Sequence, residues 1–139
     1  MTKRVLRVAF WIYLLVLLRI TVFRSGWYQN NFFQGTILWV PFRKLLQYLM
    51  EGQVIRFIYL FFGNVIWFVP FGLYFSAKEL SLWQCTLAAA CLSLLIEVLQ
   101  FVFSSGYCET EDVILNTLGG FFGWLLWKSI CKWKKRSEV

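Results

Sequence analysis

The chain has 139 residues, of which 60% are hydrophobic and 21% aromatic, against roughly 45–50% apolar residues in an average soluble domain. With 15% charged residues and a mean hydropathy of +0.64, a monomer this small cannot cover itself with polar surface, which excludes a soluble enzyme, a disordered tail and a nucleic-acid module. Histidine is absent, so His-dependent catalytic triads and His-ligated zinc sites are excluded too.

A spanning helix needs about 20 mostly apolar residues. Four runs qualify in chain order, residues 5–23, 54–75, 82–103 and 113–130, and the expected fold is an all-α polytopic membrane protein forming one domain over residues 1–139. The first run follows Lys3, Arg4 and Arg7 as a signal peptide would. It lacks an A-x-A cleavage pattern and is interrupted by Arg19, so it reads as an uncleaved anchor.

With four spans and a cytoplasmic amino terminus, the inside holds Lys3, Arg4, Arg7, Lys78, Lys128, Lys132, Lys134, Lys135 and Arg136. The outside holds the smaller set Arg19, Arg24, Arg43, Lys44 and Arg56, and the loop 104–112 has no basic residue while carrying Glu109, Glu111 and Asp112. Both termini are therefore expected to be cytoplasmic. Cys85 and Cys131 then face the reducing side, Cys91 lies in a span and Cys108 lies outside, so no disulfide framework is expected.

The first loop, residues 24–53, is long. After Pro41, the residues Phe42, Leu45, Leu46 and Leu49 share one helical face, and Arg43, Lys44, Gln47 and Glu51 mostly take the other. This predicts a short amphipathic helix in the outer interface, flanked by Trp27, Tyr28, Trp39 and Tyr48 as anchors. Ser81 and Gln84 form a capping box for the third span, and Thr110 is placed to cap the fourth. Pro70 predicts a kink or early unwinding of the second span.

Polar residues inside a membrane are costly and mark the first candidates for function. Glu97 and Gln100 share a face of the third span, with Glu97 about 9 Å from its outer end at about 1.5 Å per residue. Asp112 and Asn116 share a face of the fourth, Asn64 sits midway along the second, and Arg19 lies near the outer end of the first. If they converge, they form an outward-opening pocket in which Arg19 neutralises Glu97. The plainer alternative is interhelical glue, with Arg19 snorkelling to the surface. Glu109, Glu111 and Asp112 favour a helix amino terminus, with a divalent-cation site as the lesser reading. Gly119 and Gly123 clear one face for packing.

The runs Asn64-Val-Ile-Trp-Phe-Val-Pro70-Phe71-Gly72, Glu97-Val-Leu-Gln100 and Glu109-Thr-Glu-Asp112-Val-Ile-Leu-Asn116-Thr-Leu-Gly119-Gly120-Phe-Phe-Gly123 resemble the VanZ-like family. The family's N-x-x-P-F pattern is matched through Pro41 and Phe42, with Leu38 in place of the Asn. Its Gly-Arg reads Gly106-Tyr107, and Glu109 stands for the first acid of D-x-x-D.

The resemblance implies a bacterial, multi-pass membrane protein linked to lowered susceptibility to teicoplanin and similar lipid-tailed glycopeptides. The expected action is non-catalytic, at the outer leaflet, with no cofactor and no metal. The partners implied are membrane lipids, a lipidated glycopeptide or a lipid-linked cell-wall precursor, and further copies of the chain, with no nucleic acid. The competing reading is a membrane-embedded enzyme acting on a lipid-linked envelope substrate, with Glu97 as general acid or base and Asp112 as its partner. No activated nucleophile accompanies them in the sequence.

Overall fold

A computed structural model describes residues 3–23 and 32–137. The expected anchors Trp27 and Tyr28, and the basic Arg24, lie outside the described residues. The elements are α1 (Lys3–Thr21), β1 (Thr36–Leu38), α2 (Arg43–Met50), α3 (Val54–Ala77), α4 (Leu82–Val102), β2 (Tyr107–Glu109) and α5 (Thr110–Ser137).

Helices α3, α4 and α5 are each long and apolar enough to cross a membrane. The first expected span is helical over 19 residues, but it carries Lys3, Arg4, Arg7 and Arg19 and is not among the helices that meet that measure. Helix α5 is longer than the expected span at both ends. It takes in Glu111 and Asp112 in its first turn and Lys134, Lys135 and Arg136 in its last, charges that complement the helix macrodipole at each end.

The structure is mostly helical, as expected, and adds two three-residue strands that the sequence reading did not contain. Thr36, Ile37 and Leu38 pair in parallel with Tyr107, Cys108 and Glu109. Three residues per strand are too few to display a period-two pattern, but their backbone groups satisfy one another.

Helix ends follow local chemistry. Ser81 and Gln84 make the expected reciprocal box, with the Ser81 N–H donating to Gln84 Oε1 at 3.0 Å and the Gln84 N–H donating to Ser81 Oγ at 3.3 Å. Thr110 behaves differently from its expected capping role: its hydroxyl donates to the carbonyls of Leu38 and Trp39. Helix α2 stops at Gly52, whose φ of +71° suits a residue without a side chain. The Gly52 N–H returns to the Leu49 carbonyl and that of Gln53 to Tyr48, the paired bonds of a Schellman stop. The same pair closes α3, from Glu79 to Ser76 and from Leu80 to Phe75. Here Glu79 takes the left-handed position.

The chain divides into two compact units, Met1–Trp39 with Leu94–Thr110, and Val40–Ser93 with Glu111–Val139. In the first, the Phe33 N–H donates to the Val102 carbonyl at 3.0 Å, and the Phe103 ring lies against both Phe23 and Phe32. Among its described residues, Phe10, Leu17, Val22 and Ile96 form the buried apolar set.

In the second unit α3 and α5 touch backbone to backbone. A Cβ on Gly119 would strike the Val65 carbonyl, and one on Gly123 would strike that of Val69, so these glycines serve packing, as their spacing predicts. The Cys85 thiol is fully buried, 3.9 Å from the carbonyl oxygens of both Gly72 and Gly120. It fills space that the glycines leave. Helix α3 does not unwind at Pro70 but continues to Ala77. Beyond the proline, Phe71 and Gly72 are buried, and the Ser76 hydroxyl donates to the Trp124 carbonyl of α5 at 3.4 Å. Packing holds the turns that follow the missing N–H.

Leu45 and Leu46 of α2 part company. Leu45 is 2% exposed, in the core of the second unit, whereas Leu46 is 56% exposed. Only part of the apolar stripe is left exposed.

Candidate functional site

Glu97 is the most buried carboxyl in the first unit, at 1% exposure. It lies near the end of α4, and the chain returns through β2 so that the Glu109 N–H donates to its Oε2 at 2.7 Å. The pairing of β2 with β1 fixes that backbone donor. A buried carboxylate needs such donors, because burial without them costs several kcal/mol by order of magnitude (~2–7) even for neutral polar groups.

Gln100 stands one turn further on. One end of its carboxamide is 3.2 Å from Glu97 Oε2 and 3.3 Å from Oε1. The other is 3.4 Å from the Thr21 carbonyl, at the last residue of α1. With Glu97 ionised, the NH2 end faces the carboxylate, since the reverse would set three acceptor oxygens against one another. The expected convergence of Glu97 and Gln100 is thus present.

The expected pairing of Arg19 with Glu97 is not. The exposed Arg19 guanidinium donates to the Phe23 carbonyl, four residues on, and among the described residues no ion pair joins it to Glu97. The carbonyls that follow the last turn of a helix lack intrahelical donors, and a basic side chain in that turn supplies one.

In the second unit the amides join helices. Asn64 Nδ2 of α3 donates to Asp112 Oδ1 of α5 at 2.5 Å. Asn116 Nδ2 of α5 donates to Ser93 Oγ of α4 at 2.8 Å, with both residues buried. Pro41 is exposed, just before the Phe42 N-cap of α2, and Pro70 is exposed within α3. Glu109 is buried and contributes its backbone to Glu97. Glu111 is buried in the first turn of α5.

Two participants escaped the sequence reading. Ser93 precedes Glu97 by four residues, and that helical spacing could have singled it out. Thr21 acts through its backbone carbonyl, which leaves no mark in side-chain chemistry.

The order of these groups along the chain agrees with a known family. The model of the VanZ/LLP1 family matches residues 10–132. The chain belongs to the VanZ/LLP1 family. It is similar to Protein VanZ of Enterococcus faecium, with 44% identity over 62 residues, which are 43% of this chain and 38% of that protein. The aligned stretch thus spans well under half the length of this VanZ relative. No solved structure is matched.

Proposed function

We propose that this VanZ/LLP1-family protein crosses the membrane four times, through α1, α3, α4 and α5, with both termini cytoplasmic. It lowers susceptibility to teicoplanin or other lipid-tailed glycopeptides by a non-catalytic action at the outer leaflet. Family membership over residues 10–132 carries this reading. The residues proposed to carry function are Glu97, Gln100 and Arg19 in the first unit and Asp112, Asn116 and Asn64 in the second, with Glu109, Pro41 and Pro70 as secondary candidates and Glu97 first among them.

The geometry favours binding over catalysis. The partners described for Glu97 are a backbone N–H and a carboxamide, groups that hold a carboxylate without offering a nucleophile. Helix α2 presents Leu46, Leu49 and Met50 to its surroundings, an apolar face suited to the interfacial level that the acyl tail of such drugs enters.

The test is expression in a susceptible host, with susceptibility measured to a lipid-tailed glycopeptide and to the same core without its acyl chain. Protection against the first far above the second, with unchanged precursor lipids, is the expected result. Equal protection with a new precursor species by mass spectrometry would establish the enzymatic reading instead.

A further inference from the structure

We propose that Gln100 transmits the protonation of Glu97 to the end of α1, its carboxamide donating to Glu97 while the carboxyl is ionised and to the Thr21 carbonyl once it is protonated. This rests on the reading of Glu97 as the central site residue, and it assigns that site a regulation by protons taken up from water.

A carboxamide offers donors at one end only, so it cannot donate in both directions at once. Its two ends stand 3.2 and 3.3 Å from the Glu97 oxygens and 3.4 Å from the Thr21 carbonyl. An ionised carboxylate accepts only, and it draws the NH2 end. A protonated carboxyl becomes a donor, and it draws the carbonyl end and releases the NH2 toward Thr21. A half-turn about the last side-chain torsion exchanges the two arrangements.

Gly106 leaves room on one side for that half-turn: a Cβ there would stand 3.7 Å from the end of the carboxamide that faces Thr21, an ordinary van der Waals contact. The Glu109 N–H on Glu97 Oε2 is available in both states, since a protonated carboxyl retains acceptor capacity.

The receiving carbonyl is at a point where a bond matters. Thr21 ends α1, the N–H groups of Val22 and Phe23 both turn back to the Leu18 carbonyl, and the Thr21 hydroxyl is directed to Leu17. Protonation of Glu97 therefore adds a tie between α1 and α4, and ionisation removes it.

Among the described residues of this unit, each element packed around the pair brings its own charged and titratable groups, and helix α1 carries Tyr13 as well as its basic residues. Helix α1 brings Arg19, exposed and engaged with the Phe23 carbonyl. Strand β2 brings the buried Glu109 together with Tyr107 and Cys108. Glu97 is the only charged residue of α4, and residues 103–106 between α4 and β2 carry no charge.

The experiment uses the full chain in lipid nanodiscs. Side-chain amide signals of Gln100, identified by their loss in Gln100→Leu, are followed against pH by nitrogen-edited NMR. The Glu97 carboxyl band, identified by its loss in Glu97→Gln, is followed by infrared spectroscopy. The Gln100 signals are expected to shift with the same midpoint as the Glu97 band, to lose their pH dependence in Glu97→Gln and to keep it in Glu109→Gln. Glu97→Asp, which retains the ionisable group, keeps a coupled titration with a smaller Gln100 shift and serves if Glu97→Gln does not fold.

Gln100 signals that stay fixed while Glu97 titrates overturn the proposal. So does a shift that survives Glu97→Gln, or a Glu97 band that holds one form across the pH range in which the protein stays folded. The drug phenotype of Glu97→Gln separates the two readings. Full protection together with coupled titration removes Glu97 from the functional site and leaves the coupling standing, whereas lost protection with fixed Gln100 signals removes the coupling alone.

Discussion

The backbone N–H of Glu109 donates to Oε2 of Glu97 at 2.7 Å, joining residues twelve apart in the chain. This bond makes the carboxyl a structural acceptor as well as a candidate functional group, and the two roles separate by substitution. Glu97→Gln keeps an oxygen for the Glu109 N–H and deletes the ionisable group. Normal membrane levels with protection reduced to that of an empty vector are expected. Glu97→Leu leaves a buried N–H without its acceptor, at a cost of about 1–3 kcal/mol, and the amount of folded protein falls as well. Immunoblotting of membranes beside susceptibility testing reads both, and full protection by Glu97→Gln reduces the residue to its structural role.

The glycines of the second unit divide by environment. A Cβ at Gly123 would strike the Val69 carbonyl and stand 2.9 Å from the Gly72 Cα, whereas one at Gly63 meets nothing within 4 Å. Backbone cannot move aside as a flexible side chain can, so Gly123→Ala is expected to destabilise by about 1–3 kcal/mol, as overpacking does. Gly63→Ala is expected to gain about 0.5–1 kcal/mol from helix propensity. Thermal unfolding in detergent, followed by circular dichroism, should order the variants as Gly63→Ala, parent and Gly123→Ala from highest to lowest midpoint.

Topology can be read from added thiols. Tyr107 is 54% exposed and Trp133 is 74% exposed, which makes them better reporters than Cys108 and Cys131, both half-buried. In the proposed orientation, Tyr107→Cys gains labelling by a membrane-impermeant reagent in intact cells, and Trp133→Cys gains it only after lysis. The opposite pattern inverts the protein in the membrane.

The long helices were legible because twenty-odd apolar residues have few other uses, and the Ser81 and Gln84 box was legible because its two bonds are encoded by its two side chains. What stayed hidden lives in the backbone or in packing. The pairing of Thr36 with Tyr107 has no signature at three residues, and the donor to Glu97 is an N–H that every residue but proline possesses. Asn64 and Asp112 were each marked by their cost in a membrane, yet their mutual bond depends on how α3 and α5 cross. The survival of α3 past Pro70 was hidden for the same reason, since helical hydrogen bonding alone argues for a break there.

The apolar stripe of α2 is where sequence and structure lead to different experiments. Its spacing alone makes Leu45 a lipid-facing position, and Leu45→Asp would follow as the test of membrane contact. Leu45 is 2% exposed and Leu46 is 56% exposed, so an aspartate at 45 buries a charge in protein and tests folding, while an aspartate at 46 meets whatever covers the helix. If α2 lies in the outer interface, Leu46→Asp weakens that contact without touching the core. The expected result is a normal amount of protein and loss of the excess protection against the lipid-tailed glycopeptide, with susceptibility to the untailed core unchanged. Leu45→Asp is expected to remove the protein from the membrane fraction altogether. If Leu46→Asp keeps the full difference between the two drugs, α2 is not the element that meets the acyl tail, and the aromatic residues Trp39 and Phe33, both exposed, become the next positions to change.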